Sequence, residues 1–182
     1  MSSVHGVISM RPAGHAMRLG LLEFIETLPA GITMVEIGCY QGEATEMFLA
    51  KAAKLVAVDP WADYIEDTGS EAIGSIHMRE MSEVERLFDA RVGDRVTKVK
   101  LPSIEGAALF EDGSFDLVYI DANHGYADVL ADIKAWRPKV KAGGIFAGHD
   151  FNDERPYLQR AVREAVGEPE HVFPDSTWVV RA

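Results

Sequence analysis

VEIGCYQGEAT, residues 35–45, sets Gly38 and Gly42 directly after a run of apolar residues that contains one acid, Glu36. A strand that ends in such a turn and leads into EATEMFLAKAA, which reads as a helix over 43–53, is the opening unit of a parallel sheet with crossover helices. Glycine permits positive φ and lets a ligand come close to the backbone, while the following helix offers free amides. In an open parallel sheet the ligand crevice lies at the carboxyl ends of the strands, and the first strand-to-helix turn lines it.

The same alternation runs outward from this turn. Upstream, Leu21, Phe24, Ile25 and Leu28 recur at three- and four-residue spacing, so residues 17–28 read as a helix stopped by Pro29 and Gly31. Downstream, strands are expected at 32–38, 54–60, 95–101, 115–122 and 145–151. Helices are expected from about Met78 to Ala90, over 103–110, over 126–140 and over 156–167, with KAGG (141–144) closing the fourth of the strand-linking helices. Residues 61–77 are polar and punctuated by glycine, the least regular stretch, and HVFP and TWVVRA suggest a final hairpin. No repeat, linker or low-complexity tract interrupts the 182 residues, so one domain over 1–182 is expected, with residues 1–15 as a lid or a dimer arm.

A formal net charge of −11 gives no electrostatic footprint for DNA or RNA, so nucleic acid is not an expected partner. No apolar run approaches the ~20 residues that span a bilayer, and the N-terminus lacks the basic start and apolar core of a signal peptide. No membrane association is expected, and the chain reads as cytoplasmic. Its single cysteine, Cys39, has no disulfide partner and no neighbouring histidine, which favours a buried small residue over a catalytic thiol.

The order Gly38, Cys39, Tyr40, Gln41, Gly42 lacks the middle glycine of a dinucleotide fingerprint and the GK[ST] lysine of a phosphate-cradling loop. A carboxylate at Glu36 argues further against an anionic ligand. Asp59 ends the second strand, 23 residues after Glu36, where an acid can accept both hydroxyls of a ribose. Trp61 follows and could stack on a purine. Plainer readings stand beside these: acids at strand ends cap helices, and Trp61 could be core.

These residues resemble class I S-adenosylmethionine-dependent methyltransferases. VEIGCYQG is similar to that family's first motif, VAVDPW to its second, FEDGSFDLVYIDANHGY to the stretch around its fourth strand, and WRPKVKAGGIFAGHDF to the segment leading into its fifth. The resemblance covers roughly residues 32–151. It implies an α/β, Rossmann-like, doubly wound and mostly parallel seven-stranded sheet of order 3-2-1-4-5-7-6, the last strand antiparallel, with helices on both faces. It implies S-adenosylmethionine as cofactor, with Glu36, Gly38, Cys39, Tyr40 and Gly42 around the methionine part and Asp59 on the ribose. Pro60, Trp61 and Ser103 would flank the adenine, and Asp121 would complete the cofactor site.

Hydroxyl acceptors need a base or a metal that lowers their pKa, whereas amines need only a lone pair. IDANH places Asp121 and His124 after the fourth strand, and GHDFND places His149, Asp150, Asn152 and Asp153 after the fifth. Oxygen ligands with an occasional imidazole suit Mg²⁺ or another hard divalent metal. The arrangement resembles O-methyltransferases of the catechol and macrocin type, which implies Asp121 and Asp150 as metal ligands. Departures from their patterns, Phe151 for an Asn and His149 for a Glu, leave one ligand unassigned; His149, with His124, is a candidate catalytic residue.

The expected function is O-methylation of a small-molecule hydroxyl on a sugar, polyol or polyketide-like compound. The alternatives are an N-methyltransferase or protein-modifying enzyme, and a non-catalytic cofactor-binding module. A homodimer is compatible with residues 1–15 acting as an arm. The missing NPPY or DPPY stretch weighs against amine methylation, and the absent Tyr-x-x-x-Lys pair against a nicotinamide-dependent reductase.

Overall fold

A computed structural model describes residues 9, 11–62, 65–67, 72–74 and 80–182, with the backbone alone for 65–67 and 72–74. Part of the expected lid or arm, most of the irregular 61–77 stretch, and His5 and His77 lie outside the described residues. The elements run α1 (Ala16–Thr27), β1 (Ile32–Ile37), α2 (Glu43–Phe48), β2 (Ala52–Val58), β3 (Ile65–Asp67), β4 (Ala72–Gly74), α3 (Met81–Val92), β5 (Thr97–Val99), α4 (Ser103–Ala107), β6 (Phe115–Ile120), α5 (Tyr126–Trp136), β7 (Val140–Gly148), α6 (Pro156–Val166), β8 (His171–Val172) and β9 (Trp178–Arg181). No described helix is long and apolar enough to cross a membrane.

Seven strands form one sheet in the order β5-β2-β1-β6-β7-β9-β8, and β3 and β4 form a separate antiparallel pair. Every neighbouring pair from β5 to β7 is parallel; β9 runs antiparallel to both β7 and β8. This is the expected architecture with the expected strand order. Alternation along the strands feeds two cores. Met34, Leu55, Ala57, Leu117, Tyr119, Ile145 and Ala147 join the side chains of α1, α2 and α3, while Val35, Ile37, Val56, Val58, Val118, Ile120 and Phe146 join those of α4, α5 and α6. Large apolar rings such as Phe24, Phe48 and Trp136 are fully buried there, each contributing about 2–3 kcal/mol of burial.

Several boundaries differ from the periodicity, and each shift has a local cause. The expected helix over 43–53 ends at Phe48, because Lys51 turns the chain: its carbonyl accepts the Gly31 amide at 2.7 Å and its Nζ donates to the Leu28 carbonyl at 2.9 Å. Alanines at 52 and 53 therefore enter β2 in spite of their helix propensity. KAGG does not close a helix but forms the first half of β7, since Pro138 ends the helical run and the Gly143 amide donates to the Ala182 carbonyl at 3.0 Å. β7 stops at Gly148 rather than 151, because Asp150 takes φ 64.

The parallel ladders continue one residue past each strand, and this sets the edge of the sheet. Gly38 donates its amide to Val58 O, Asp59 to Val99 O, Asp121 to Ile37 O and His149 to Ile120 O, at 2.7–3.2 Å. Four residues singled out in the sequence are thereby held in one row at the carboxyl ends. Gly38 has φ 84, and a Cβ there would lie 2.1 Å from the Asp121 carbonyl oxygen. Gly31, with φ 81, has open space around the same position. Gly38→Ala should therefore lower the unfolding free energy by about 3 kcal/mol, left-handed strain plus overpacking, and Gly31→Ala by only about 1–2 kcal/mol. Urea denaturation of the pair checks this; equal losses would remove the backbone clash as the reason for Gly38.

Candidate active site

Asp59 organises the mouth. Its Oδ2 accepts the amides of Cys39 and Tyr40, each at 2.9 Å, and its Oδ1 accepts the Trp61 amide at 2.7 Å. Tyr40 and Trp61 both lie in the left-handed region, φ 47 and 42, and the Trp61 indole N–H donates to the Tyr40 carbonyl at 2.8 Å. The loop after β1 and the loop after β2 are thus tied through one carboxylate. Burial lifts the Asp59 pKa above the ordinary carboxyl value, although the amides of Trp61, Tyr40 and Cys39 pull it down. One lone pair of Oδ1 and one edge of the carboxylate are left for a ribose, less than a free acid would offer.

Among the other sequence candidates, Trp61 and Ser103 turn their side chains into packing between elements, and Cys39 is the buried small residue expected. Trp61 is buried, its ring 4.7 Å from that of Phe88 and 4.6 Å beneath Lys98 Nζ, so here it is core and not a purine platform. Pro60, between Asp59 and Trp61, is half-buried. Gly42 has φ 78, and a Cβ on it would meet Phe88 Cδ2 at 2.9 Å, so the left-handed backbone and the packing of α3 both call for glycine there. Cys39 is buried with its thiol facing the Glu36 and Val58 carbonyls, and burial lifts its pKa well above the ordinary value. The Ser103 hydroxyl accepts the Trp136 indole N–H at 2.9 Å and bonds Asp132, whose pKa burial raises to about 6; it joins α4 to α5.

Glu36 lies on the α2 side of the sheet, 1% exposed, and its Oε2 has no hydrogen-bond partner. Burial raises its pKa to about 8, against a smaller lowering from the Thr45 hydroxyl beside it, whose own contact falls short of hydrogen-bond geometry. Above β6 and β7 the polar groups crowd together. His124 Nε2 is 2.9 Å and His149 Nδ1 3.2 Å from Asp150 Oδ2, and His149 Nδ1 is 3.6 Å from Asp121 Oδ1. Burial disfavours the Asp150 anion, but the bonds from His124 and His149 outweigh it and hold the pKa far below the ordinary value. Burial likewise opposes a charge on His149, yet Asp121 and Asp150 raise its pKa. The His124 side chain is 20% exposed and that of His149 only 3%, so His124 is the imidazole a bound molecule can reach.

Two groups that the sequence did not single out complete the mouth. Arg11 brings a buried guanidinium to Asp121 Oδ2 at 2.9 Å and within 3.8 Å of Asp175 Oδ2. Asp175, in the turn between β8 and β9, accepts the Thr177 amide at 3.1 Å and hydroxyl at 3.0 Å, with the Tyr119 hydroxyl 3.0 Å from that of Thr177; His149 Nε2 lies 3.7 Å away. Nothing in the pattern around MRPAG or PDST marks either residue; a turn aspartate is ordinarily solvated.

The sheet order and an edge bearing a glycine turn, an acid after β2 and polar residues after β6 and β7 define a class I methyltransferase. Residues 35–151 match a family model described as "Methyltransferase domain", and the chain belongs to that family of S-adenosylmethionine-dependent methyltransferases. A sequence comparison with curated proteins finds no match. Among solved structures, the chain is similar to the calicheamicin methyltransferase CalS11 at TM-score 0.61 and 18% identity, covering 91% of this chain and 77% of that one; CalS11 is described as a TDP-rhamnose 3′-O-methyltransferase. The O-methyltransferase NovP gives 0.58 and 18%, with the same coverage. The 1,6-didemethyltoxoflavin N1-methyltransferase of Burkholderia thailandensis, solved with S-adenosylhomocysteine, gives 0.55 and 18%, covering 93% and 77%.

The protonation of Glu36 has a measurable consequence. Between the ordinary glutamate range and about pH 8 the folded state keeps a proton that the unfolded chain has released. Stability therefore falls as pH rises through that window and the loss is complete above it. Glu36→Gln, which stays neutral, should gain on the wild type by up to about 1.4 kcal/mol per pH unit across the window. Denaturation at pH 5, 7 and 9 checks this; a pH-independent difference would mean that Glu36 is ionised in the folded protein.

Proposed function

We propose that the protein transfers the methyl group of S-adenosylmethionine to a hydroxyl oxygen of a small molecule, with a sugar, polyol or polyketide-like compound as acceptor. The observation that carries this is the pair of imidazoles on Asp150, beside Asp121, at the ends of β6 and β7. A hydroxyl must shed its proton during transfer, and a positioned base supplies that step. The sugar O-methyltransferase CalS11, of the same fold, supports the acceptor class, and the net charge of −11 supports a small molecule over a nucleic acid.

In this reading Glu36, the Gly38–Gly42 turn and Asp59 hold the cofactor, Glu36 facing the methionine ammonium. Unpartnered buried atoms in the mouth, Glu36 Oε2 among them, fit a polar ligand there. The acceptor hydroxyl sits at the Asp121–Asp150 edge, and His124 takes its proton at Nδ1 while Asp150, at Nε2, orients the ring. His149 holds Asp150 from the buried side.

The donors Asp121, His124 and Asp150 have ligand atoms within 4.8 Å of one another and fit a divalent cation such as Mg²⁺. Bound there, such an ion would make His124 a ligand in place of a base and would itself lower the pKa of the acceptor hydroxyl.

Calorimetric titration with S-adenosylmethionine and S-adenosylhomocysteine, with and without Mg²⁺ and with NAD as control, tests the cofactor; micromolar binding of the sulfonium pair alone is expected. At pH 7 binding should release about one proton, because the ligand's ammonium lowers a Glu36 pKa of about 8. Once an acceptor is found by screening, His124→Gln should lower kcat by about 10²–10⁴-fold. An unchanged kcat would point to amine methylation, which needs no base, and full activity in EDTA would remove the ion.

A further inference from the structure

Arg11 is the one buried lysine or arginine among the described residues, and it reaches the mouth from the segment before α1. That segment is fastened to the first residue of α2: the Arg11 amide donates to Glu43 Oε2 at 2.9 Å and the Ser9 hydroxyl to Glu43 Oε1 at 2.5 Å. The guanidinium is therefore placed in register with the glycine turn that precedes α2. Its side chain is 7% exposed; one terminal nitrogen donates to Asp121 Oδ2 at 2.9 Å, and the other, Nη1, has no hydrogen-bond partner. Asp175 Oδ2, at 3.8 Å, is too far to accept from it.

A buried donor of this kind is costly to leave unmade. The acids around it, Asp121, Asp175 and Glu36, favour its charge over the burial that opposes it. They would also repel any ligand carboxylate that came to the mouth unpaired. The amino-acid end of a sulfonium cofactor carries both charges, an ammonium and a carboxylate. Glu36 suits the first, and the guanidinium of Arg11, with its fork of donors, suits the second. We propose that Arg11 binds the carboxylate of the cofactor's methionine part, so that the segment before α1 belongs to the cofactor site. The assignment rests on the methyltransferase reading of the mouth.

The test is a cycle in which protein and ligand each lose one partner. S-adenosylhomocysteine and its decarboxylated analogue, which keeps the amine, are titrated calorimetrically into the wild type, Arg11→Gln and Arg11→Lys, with thermal unfolding as a check on folding. The wild type should prefer the carboxylate form by about tenfold or more, roughly 1.4 kcal/mol. Arg11→Gln should bind the two ligands within about threefold of each other, and Arg11→Lys should keep part of the preference. An undiminished preference in Arg11→Gln overturns the proposal; if the KM of an anionic acceptor rises in that variant instead, Arg11 serves the acceptor. Equal loss of both ligands also overturns it, giving Arg11 a structural role alone. Wild-type protein that binds neither ligand would overturn the cofactor site itself, an outcome distinct from failure at Arg11.

Discussion

The geometry of the mouth hangs on one carboxylate. Asp59 collects three backbone amides from two loops, and without it the left-handed turns at Tyr40 and Trp61 would have buried donors with no acceptor. Hydrogen bonds to a charged acceptor contribute about 1.5–3 kcal/mol each, enough to hold two non-glycine residues at positive φ, where strain costs about 1–2 kcal/mol apiece. Desolvation works against the same anion and lifts its pKa. The balance explains why the acid is placed at a strand end, where the amides of a turn converge, and not within a strand, where they are committed to the ladder.

Electrostatics beyond Asp59 follow from the acids gathered around one edge. Glu36, Asp121, Asp150 and Asp175 cannot all be ionised and unpaired in a buried mouth. Each meets the problem differently. Asp150 is held by two imidazoles and Asp121 by a guanidinium, whereas Asp175 is served by Thr177 and faces Arg11 and His149 at a greater distance. Glu36 has no cation in contact and keeps its proton instead. Arg11 thus compensates charge in a pocket assembled from the core strands, although it belongs to the segment before the first helix.

Much of the fold was legible because short apolar runs, three- and four-residue helical spacing and the strand–glycine–helix turn are local signals. The parallel order followed from resemblance across four motifs, and the sheet agrees with it. What misled was competition between local propensity and pairing. Ala52 and Ala53 favour a helix but pair as strand, and Gly143 and Gly144 look like a stop but lie within β7, Gly143 at φ 75 and Gly144 where a Cβ would crowd the Lys141 and Asp116 carbonyls. Within the site, residues directly after strands were readable, since the ladder dictates where they point. Side-chain targets were not: the Ser103 hydroxyl, the Trp61 ring and the Cβ direction of Gly42 all face the packing of α3, α4 and α5. Arg11 and Asp175 carry no periodic or motif signal, and only the tertiary fold brings them to His149 and Asp121.

Methyl transfer from a sulfonium consumes positive charge as the reaction proceeds. Anionic surroundings therefore stabilise the cofactor more than the transition state, and a mouth lined with ionised acids would tighten binding while slowing the chemistry. The arrangement here limits that effect. Arg11 neutralises part of the field of Asp121 and Asp175, whereas Glu36, protonated at pH 7 in the free protein, becomes an anion only when a cation is bound beside it. The remaining strong anion, Asp150, is turned toward His124 and His149 and, together with Asp121, raises the His149 pKa against the burial that opposes it. The acids are thus divided by their partners, with Asp121 beside a guanidinium, Asp150 beside two imidazoles and Glu36 without a cation in contact in the free protein. Rate enhancement must then come mainly from alignment of acceptor and methyl group, because the static field of such a site favours the charged reactant.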